Sequence, residues 1–224
     1  MSANFSYDQV AAAVEHTLLR PEATTDLLKQ LCQEALTLRM GAVCLPPRYV
    51  PLAVEILKGS QVQICTVIGF PLGANISSIK RLEAEAAVRD GAQQLDMVID
   101  IGGVIEMEEK RVRQDIEAVL EGSDGRPVKV IVETCLLSET EKVFACRCTQ
   151  EAGAAFVKTS TGFAGGGATV ADVALMRQTV GKTMGVKASG GIKTLDDTIA
   201  MLEAGADRLG TSSGVAILTA LRGR

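Results

Sequence analysis

The chain has 224 residues, of which 47% are hydrophobic and 22% are charged, and its formal net charge is −4. This composition is typical of a globular protein and excludes disorder along the whole chain. The acidic balance and the 3% of aromatic residues argue against a nucleic-acid-binding protein, and no apolar run reaches the roughly 18 residues that a membrane-spanning helix needs.

Helical patterns and short apolar runs alternate along the chain. Helices are predicted over 6–14, 25–40 and 111–121, and capping boxes begin at Ser6 and Ser138, with a similar pattern at Thr194. Eight runs predict strands that are each followed by a helix, which indicates a parallel sheet. These runs are HTLL (16–19), AVCL (42–45), QICTVIG (63–69), QLDMVIDIG (94–102), VKVIVETC (128–135), AFVKTS (155–160), MGVKAS (184–189) and DRLGTS (207–212).

A Gly-Ala pair precedes every second predicted strand. The four pairs begin at Gly41, Gly91, Gly153 and Gly205, where we expect each glycine to end a helix with φ above zero. A unit of two βα pairs used four times favours a closed barrel over an open sheet. We therefore predict an α/β protein, a TIM (β/α)8 barrel with a short N-terminal helix, as a single domain over residues 1–224.

The six cysteines form no C-x-x-C pair, and several lie inside apolar runs. We expect buried, reduced thiols and not a zinc site. The N-terminal stretch is polar and carries Asp8, so we expect no secretory signal and a cytoplasmic location.

Three charged residues interrupt predicted strands near the face where barrel active sites lie: Asp96, Lys158 and Lys187. A single buried charge more often forms a structural ion pair, but two lysines on adjacent strands are harder to explain in that way. Two close ammonium groups repel each other, so one of the two pKa values should fall. A neutral lysine amine can form a Schiff base with a carbonyl compound.

Glycine-rich stretches end the last two predicted strands and open the helices that follow. TIM barrels often bind phosphate at this position through backbone N–H groups and helix N-termini. The run Gly165-Gly166-Gly167 is a candidate for a mobile active-site loop or a simple turn. His16 is the only histidine, and we expect a hydrogen-bonded structural role for it. The residues thus predict an enzyme without a metal or an organic cofactor, acting on a small phosphorylated carbonyl compound through a lysine.

At these residues the sequence closely resembles the deoxyribose-phosphate aldolase family, over nearly the whole chain. The matching segments are HTLL, LDMVI, VKVIVETCLL, FVKTSTGF, GATVADVALM, GVKASGGIKT and GTSSGVAI. The resemblance implies a lyase that reversibly cleaves 2-deoxy-D-ribose 5-phosphate to acetaldehyde and D-glyceraldehyde 3-phosphate, with a role in deoxyribose phosphate catabolism.

The resemblance also implies roles for individual residues. Lys158 matches the Schiff-base lysine, Lys187 the second lysine that helps the first to lose its proton, and Asp96 the acid/base carboxylate, which acts through a water relay. Pocket-lining positions are implied at Thr17, Cys44 and Thr161. Phosphate-side positions are implied at Gly162, Gly190, Gly191, Lys193, Gly210, Ser212 and Ser213.

The sequence departs from the family pattern at four places. Glu15 replaces the usual Asp, Asn is common where Pro46 and Asp100 stand, and the tail lacks the tyrosine that some relatives use for proton transfer. Glu15 is expected to reshape contacts to substrate hydroxyls, and the other two positions to alter the surroundings of Asp96 or the pocket rim.

Two other functions remain open from the residues alone. One is a Schiff-base aldolase for another small phosphorylated sugar, and the other is a non-catalytic sugar-phosphate-binding barrel. For an aldolase of either substrate specificity we expect sugar phosphate and aldehyde substrates, no nucleic-acid or membrane partner, and a homo-oligomer. A homodimer is the specific expectation, because exposed barrel helices often pair.

Overall fold

Eight parallel strands pair in chain order, and the last strand pairs with the first, so that the sheet closes into a barrel. The computed structural model describes residues 5–223. The strands are β1 (Val14–Thr17), β2 (Ala42–Leu45), β3 (Gln63–Ile68), β4 (Gln94–Val98), β5 (Val128–Ile131), β6 (Phe156–Lys158), β7 (Gly185–Ser189) and β8 (Arg208–Thr211). The predicted TIM barrel is therefore confirmed.

A short helix precedes β1, and helices follow every strand, with two after β4. They are α1 (Tyr7–Ala13), α2 (Thr25–Leu38), α3 (Val50–Leu57), α4 (Ser77–Arg89), α5 (Ile101–Ile105), α6 (Glu109–Gly122), α7 (Glu139–Ala152), α8 (Val170–Val180), α9 (Leu195–Glu203) and α10 (Gly214–Arg222). Within the described part of the chain, no helix is both long and apolar enough to cross a membrane.

The main core lies between the outer face of the barrel and the helices, and consists largely of Val, Leu, Ile, Ala and Met side chains. A second, small apolar cluster of Cys44, Cys65 and Val67 contains residues of β2 and β3. Around it the barrel contains fully buried charged side chains, including Asp96, Lys129 and Lys187. Because burial of a charge is costly unless it is paired, these residues must satisfy one another.

The predicted helix starts are confirmed by their hydrogen bonds. Complete capping boxes join Ser6 to Gln9, Ser138 to Glu141 and Thr194 to Asp197. Each box satisfies backbone N–H groups that a helix leaves unpaired at its N-terminus.

The Gly-Ala prediction is correct for three of the four pairs. Gly91, Gly153 and Gly205 have φ values of 107°, 88° and 108°. The prediction is wrong for Gly41, because α2 ends two residues earlier than expected and Arg39 takes the left-handed conformation instead. Gly41 serves close packing, since a Cβ there would lie 2.1 Å from the carbonyl oxygen of Ala12.

All six cysteines are free thiols, as expected, and five of them are buried. The expectation of burial is wrong for Cys135, which is exposed on the turn after β5. Residues 1–4 and 224 lie outside the described residues. The expectation of no secretory signal and the expectation about the C-terminal tail rest partly on them.

A side chain at position 41 should destabilise the barrel. We expect Gly41→Ala to lower the free energy of unfolding by about 1–3 kcal/mol, because the new methyl group must displace backbone atoms. Gly102→Ala is the matched control, since a Cβ on this α5 glycine has its nearest atoms at 3.6 Å. Urea unfolding of both variants tests the prediction, and equal stability of the two would contradict it.

Candidate active site

A cavity of about 870 Å³ opens at the carboxyl ends of the strands, where the sequence predicts the active site. It is bordered by the ends of β1, β6, β7 and β8, by the β6–α8 loop and by one face of α2. Most of the predicted site residues line it, namely Thr17, Lys158, Thr161, Gly162, Gly190, Gly191, Lys193, Gly210, Ser212 and Ser213.

The three predicted catalytic residues lie in direct contact. The Nζ atoms of Lys158 and Lys187 each lie 2.7 Å from the same oxygen, Oδ2 of Asp96. The two lysines are register partners on β6 and β7, so their side chains leave adjacent strands side by side. Lys158 is the last residue of its strand and lines the cavity, whereas Lys187 and Asp96 are fully buried below it.

Two further charged residues complete this cluster. Lys129 pairs with Asp96 in register on β5, and its Nζ lies 3.0 Å from Oδ1 of Asp96. Glu15 on β1 accepts a hydrogen bond from Lys187, and its other oxygen lies 3.4 Å from Lys129 Nζ. We call Glu15, Asp96, Lys129, Lys158 and Lys187 the charge cluster.

Burial and the neighbouring charges shift the pKa values of these groups in opposite directions, and the neighbouring charges have the larger effect. Burial alone would raise the pKa of Asp96, but the three lysines hold this pKa well below its usual range. The pKa of Glu15 is lowered in the same way, by Lys129 and Lys187. Conversely, burial would lower the pKa values of Lys187 and Lys129, but Asp96 and Glu15 raise both. Lys187 is therefore an ammonium ion at neutral pH.

The charge cluster has three lysines and two carboxylates. With every group ionised it carries one excess positive charge, and with Lys158 uncharged it is neutral. Lys158 contacts only one carboxylate, Asp96, and it alone among the three lysines lines the cavity. The geometry therefore favours Lys158 as the amine that is available for reaction.

Another part of the cavity wall is formed by backbone and small side chains. Gly190 and Gly191, with φ values of 85° and 79°, follow β7 and lead to the N-terminus of α9. Ser212 and Ser213 lead to the N-terminus of α10. The N-terminus of α10 has no side-chain cap and belongs to the cavity lining, as does Lys193, and these two features suit a dianionic phosphate group. At α9, by contrast, the carboxylate of Asp197 already accepts the backbone N–H groups of Lys193 and Thr194.

Cys44 does not line the cavity, in contrast to the position that the family resemblance implies for it. It is fully buried on β2, where Cys65 is its register partner. A hydrogen bond with Cys65 lowers the pKa of the Cys44 thiol, against the effect of burial. Among the described residues, Cys44, Cys65 and Asp96 are close enough to share a metal ion. The lysine ammonium groups that contact Asp96 would repel a metal cation at this position.

The departures from the family pattern also have structural roles. Glu15 contacts two lysines, is fully buried and is not part of the cavity lining, so any effect on substrate hydroxyls would be indirect. Asp100 caps α5 and pairs with Arg111 instead of bonding to Asp96. Pro46 precedes a short 3-10 turn.

His16 has the expected hydrogen bond, to Glu34 at 2.8 Å, and also lines the cavity.

The glycine run of the β6–α8 loop packs closely on neighbouring segments. Gly166 lies against Cys135, and a Cβ on Gly167 would be 2.4 Å from the carbonyl oxygen of Gly190. Ala168 N–H donates hydrogen bonds to the carbonyl groups of Ser189 and Gly190. The run therefore fixes this loop against the end of β7.

Comparisons with known proteins agree with this geometry. The sequence profile of the DeoC/LacD family aldolases matches residues 8–220. The chain is 54% identical to the deoxyribose-phosphate aldolase of Streptococcus gordonii over 205 residues, which cover 92% of this chain and 93% of that protein. It is 50% identical to the deoxyribose-phosphate aldolase of Clostridium perfringens over 210 residues, or 93% and 94% of the two chains.

A solved structure shows the same fold. The deoxyribose phosphate aldolase from Aeropyrum pernix, described as a unique tetramer, superposes with a TM-score of 0.90 at 32% identity. The superposition covers 97% of this chain and 92% of that one.

The charge cluster should make the free energy of unfolding depend on pH in the acidic range. The folded pKa values of Asp96 and Glu15 lie below their ordinary values, so their contribution is present above about pH 5 and is lost as pH falls. We expect Glu15→Gln to be less stable at pH 7 and to lose less stability between about pH 5 and pH 3. Chemical denaturation across this range measures both, and parallel curves for the two proteins would contradict the assignment.

Proposed function

The chain belongs to the DeoC/LacD family of aldolases, and we propose that it cleaves 2-deoxy-D-ribose 5-phosphate reversibly through a Schiff base on Lys158. The products are acetaldehyde and D-glyceraldehyde 3-phosphate. The observation that carries the proposal is the position of Lys158: its amine lines the cavity and binds Asp96, while the other two lysines of the charge cluster are sealed below.

The reaction follows from an amine in this position. Lys158 attacks the aldehyde carbon of the open-chain sugar, and loss of water gives an iminium ion. The iminium withdraws electrons, so that the carbon–carbon bond breaks to an enamine and glyceraldehyde 3-phosphate when the adjacent hydroxyl loses its proton. Protonation of the enamine carbon and hydrolysis then release acetaldehyde and restore the amine.

The charge cluster supplies the proton transfers. Lys187 keeps its proton and lies on the same Asp96 oxygen as Lys158, so Asp96 connects a proton donor to the reacting amine. The low pKa of Asp96 makes it a weak base while three lysines surround it. On the basis of the family resemblance, we assign proton exchange with the substrate carbon to a relay from Asp96 through water.

The substrate phosphate would bind at the part of the cavity wall that glycine and serine residues form. The supporting features are the backbone of Gly190 and Gly191, the hydroxyl groups of Ser212 and Ser213, and the side chain of Lys193. Gly162 and Gly210 border the same cavity, and Thr17 and Thr161 also line it. Binding of the phosphate here places the aldehyde end toward Lys158.

The assembly and location are proposed at a coarser level. A homo-oligomer is supported by the tetramer described for the Aeropyrum pernix relative, and the narrower homodimer remains a prediction. A cytoplasmic location and a single domain over residues 1–224 also remain predictions.

Borohydride trapping tests the site of the Schiff base. Reduction of the protein in the presence of acetaldehyde should attach a two-carbon group to Lys158, located by peptide mass spectrometry. Lys158→Ala should abolish both the adduct and the cleavage of 2-deoxyribose 5-phosphate. Lys142→Ala, which removes a lysine paired with Asp172 on the outer helices, is the control and should keep both. An adduct that survives Lys158→Ala would overturn the assignment.

Removal of Lys129 tests the charge balance. Lys129→Met removes a cation that lowers the pKa values of Asp96 and Glu15, so both carboxylates should take up a proton at a higher pH than in the wild-type protein. We expect kcat/KM at pH 7 to fall by about tenfold or more and the rising limb of the pH profile to move to higher pH. Lys142→Met should leave the profile in place. Loss of activity with an unshifted pH profile would show that Lys129 has only a structural role.

A further inference from the structure

Glu133 is a buried carboxylate that the Schiff-base chemistry does not use. It follows β5 by two residues, and only 1% of its surface is exposed. Its backbone is left-handed, with φ 58° and ψ 65°, which is uncommon for a residue other than glycine. Such conformations persist where neighbouring contacts enforce them, and they concentrate at functional sites.

The side chain of Glu133 is held mainly by one residue of the β6–α8 loop, and the Sγ atom of Cys135 also lies 3.8 Å from its Oε1. The two carboxylate oxygens of Glu133 accept the backbone N–H of Thr161 at 3.1 and 3.3 Å. Oε2 also accepts the hydroxyl hydrogen of Thr161 in a short hydrogen bond. Glu133 thus binds both the backbone and the side chain of a residue three positions beyond Lys158.

These bonds fix the direction in which the Thr161 hydroxyl can interact. A hydroxyl group has one hydrogen to donate and two lone pairs to accept with, and a carboxylate can only accept. The Thr161 hydrogen is therefore committed to Glu133, and one lone pair accepts the N–H of Phe163 at 3.0 Å. Thr161 lines the cavity together with Lys158, so one lone pair is left for a ligand.

We propose that Glu133 is a positioning residue that makes Thr161 a hydrogen-bond acceptor for a hydroxyl group of the substrate. This inference rests on the proposed function, since it assigns the polarity of one wall of that site. A sugar hydroxyl next to the reacting carbons can donate to Thr161. A ligand with only an acceptor at this position meets a lone pair and binds poorly.

The first test is Glu133→Gln, whose amide can donate to the Thr161 oxygen and so reverse the hydrogen bond. We expect KM for 2-deoxyribose 5-phosphate to rise by about tenfold, with kcat changed by no more than about twofold. Borohydride trapping of acetaldehyde on Lys158 should be unchanged, because acetaldehyde has no hydroxyl group. A purely structural role for Glu133 would reduce trapping and kcat together.

Thr161 provides the matched pair of variants. Thr161→Val removes the hydroxyl group and should raise KM as Glu133→Gln does, whereas Thr161→Ser should keep the wild-type KM. In the double variant Glu133→Gln, Thr161→Val, KM should rise no further than in Thr161→Val alone, because the two residues act through one hydrogen bond.

The outcomes separate this inference from the proposed function. Wild-type protein that neither cleaves the sugar phosphate nor traps acetaldehyde would reject the function itself. Active wild-type protein with an unchanged KM in Glu133→Gln, or additive effects in the double variant, would overturn the inference alone. If Glu133→Gln does not fold, equal KM values in Thr161→Val and Thr161→Ser would overturn it in the same way.

Discussion

The buried carboxylate of Asp96 stays ionised because the side chains of three lysines surround it. Asp96, Lys129 and Lys187 are all fully buried, so each would be costly without the others. Their partners come from five strands, and Glu15 and Lys187 are 172 positions apart in the chain. Closure of the barrel is what brings them together, because β1 reaches β7 only across β8 in a closed sheet.

An odd number of lysines gives this arrangement its reactivity. Two carboxylates balance two of the lysines, and the third amine is the one that ends a strand and meets the cavity. The fold therefore places the lysine that is in excess over the two carboxylates beside the cavity, where a carbonyl compound can reach it.

The sequence could predict those features that leave a local signal. Asp96, Lys158 and Lys187 stand out as charges inside apolar runs, and Lys129 in VKVI carries the same signal. The importance of Lys129 lies in its register with Asp96, which only the structure shows. The sequence predicts a helix end at Gly41, because the pattern of α2 does not reveal that Arg39 ends the helix. The family resemblance implies a pocket-lining position for Cys44, and only the shape of the cavity shows that Cys44 is not among the residues that line it.

The phosphate site that we propose needs positive charge of its own. A phosphate dianion without local compensation would favour the ionised form of the lysines in the charge cluster. Lys193 and the N-terminus of α10, which begins after Ser213, supply positive charge in the cavity lining. With the phosphate compensated in this way, the balance of charge among Glu15, Asp96 and the three lysines is set mainly by the cluster itself.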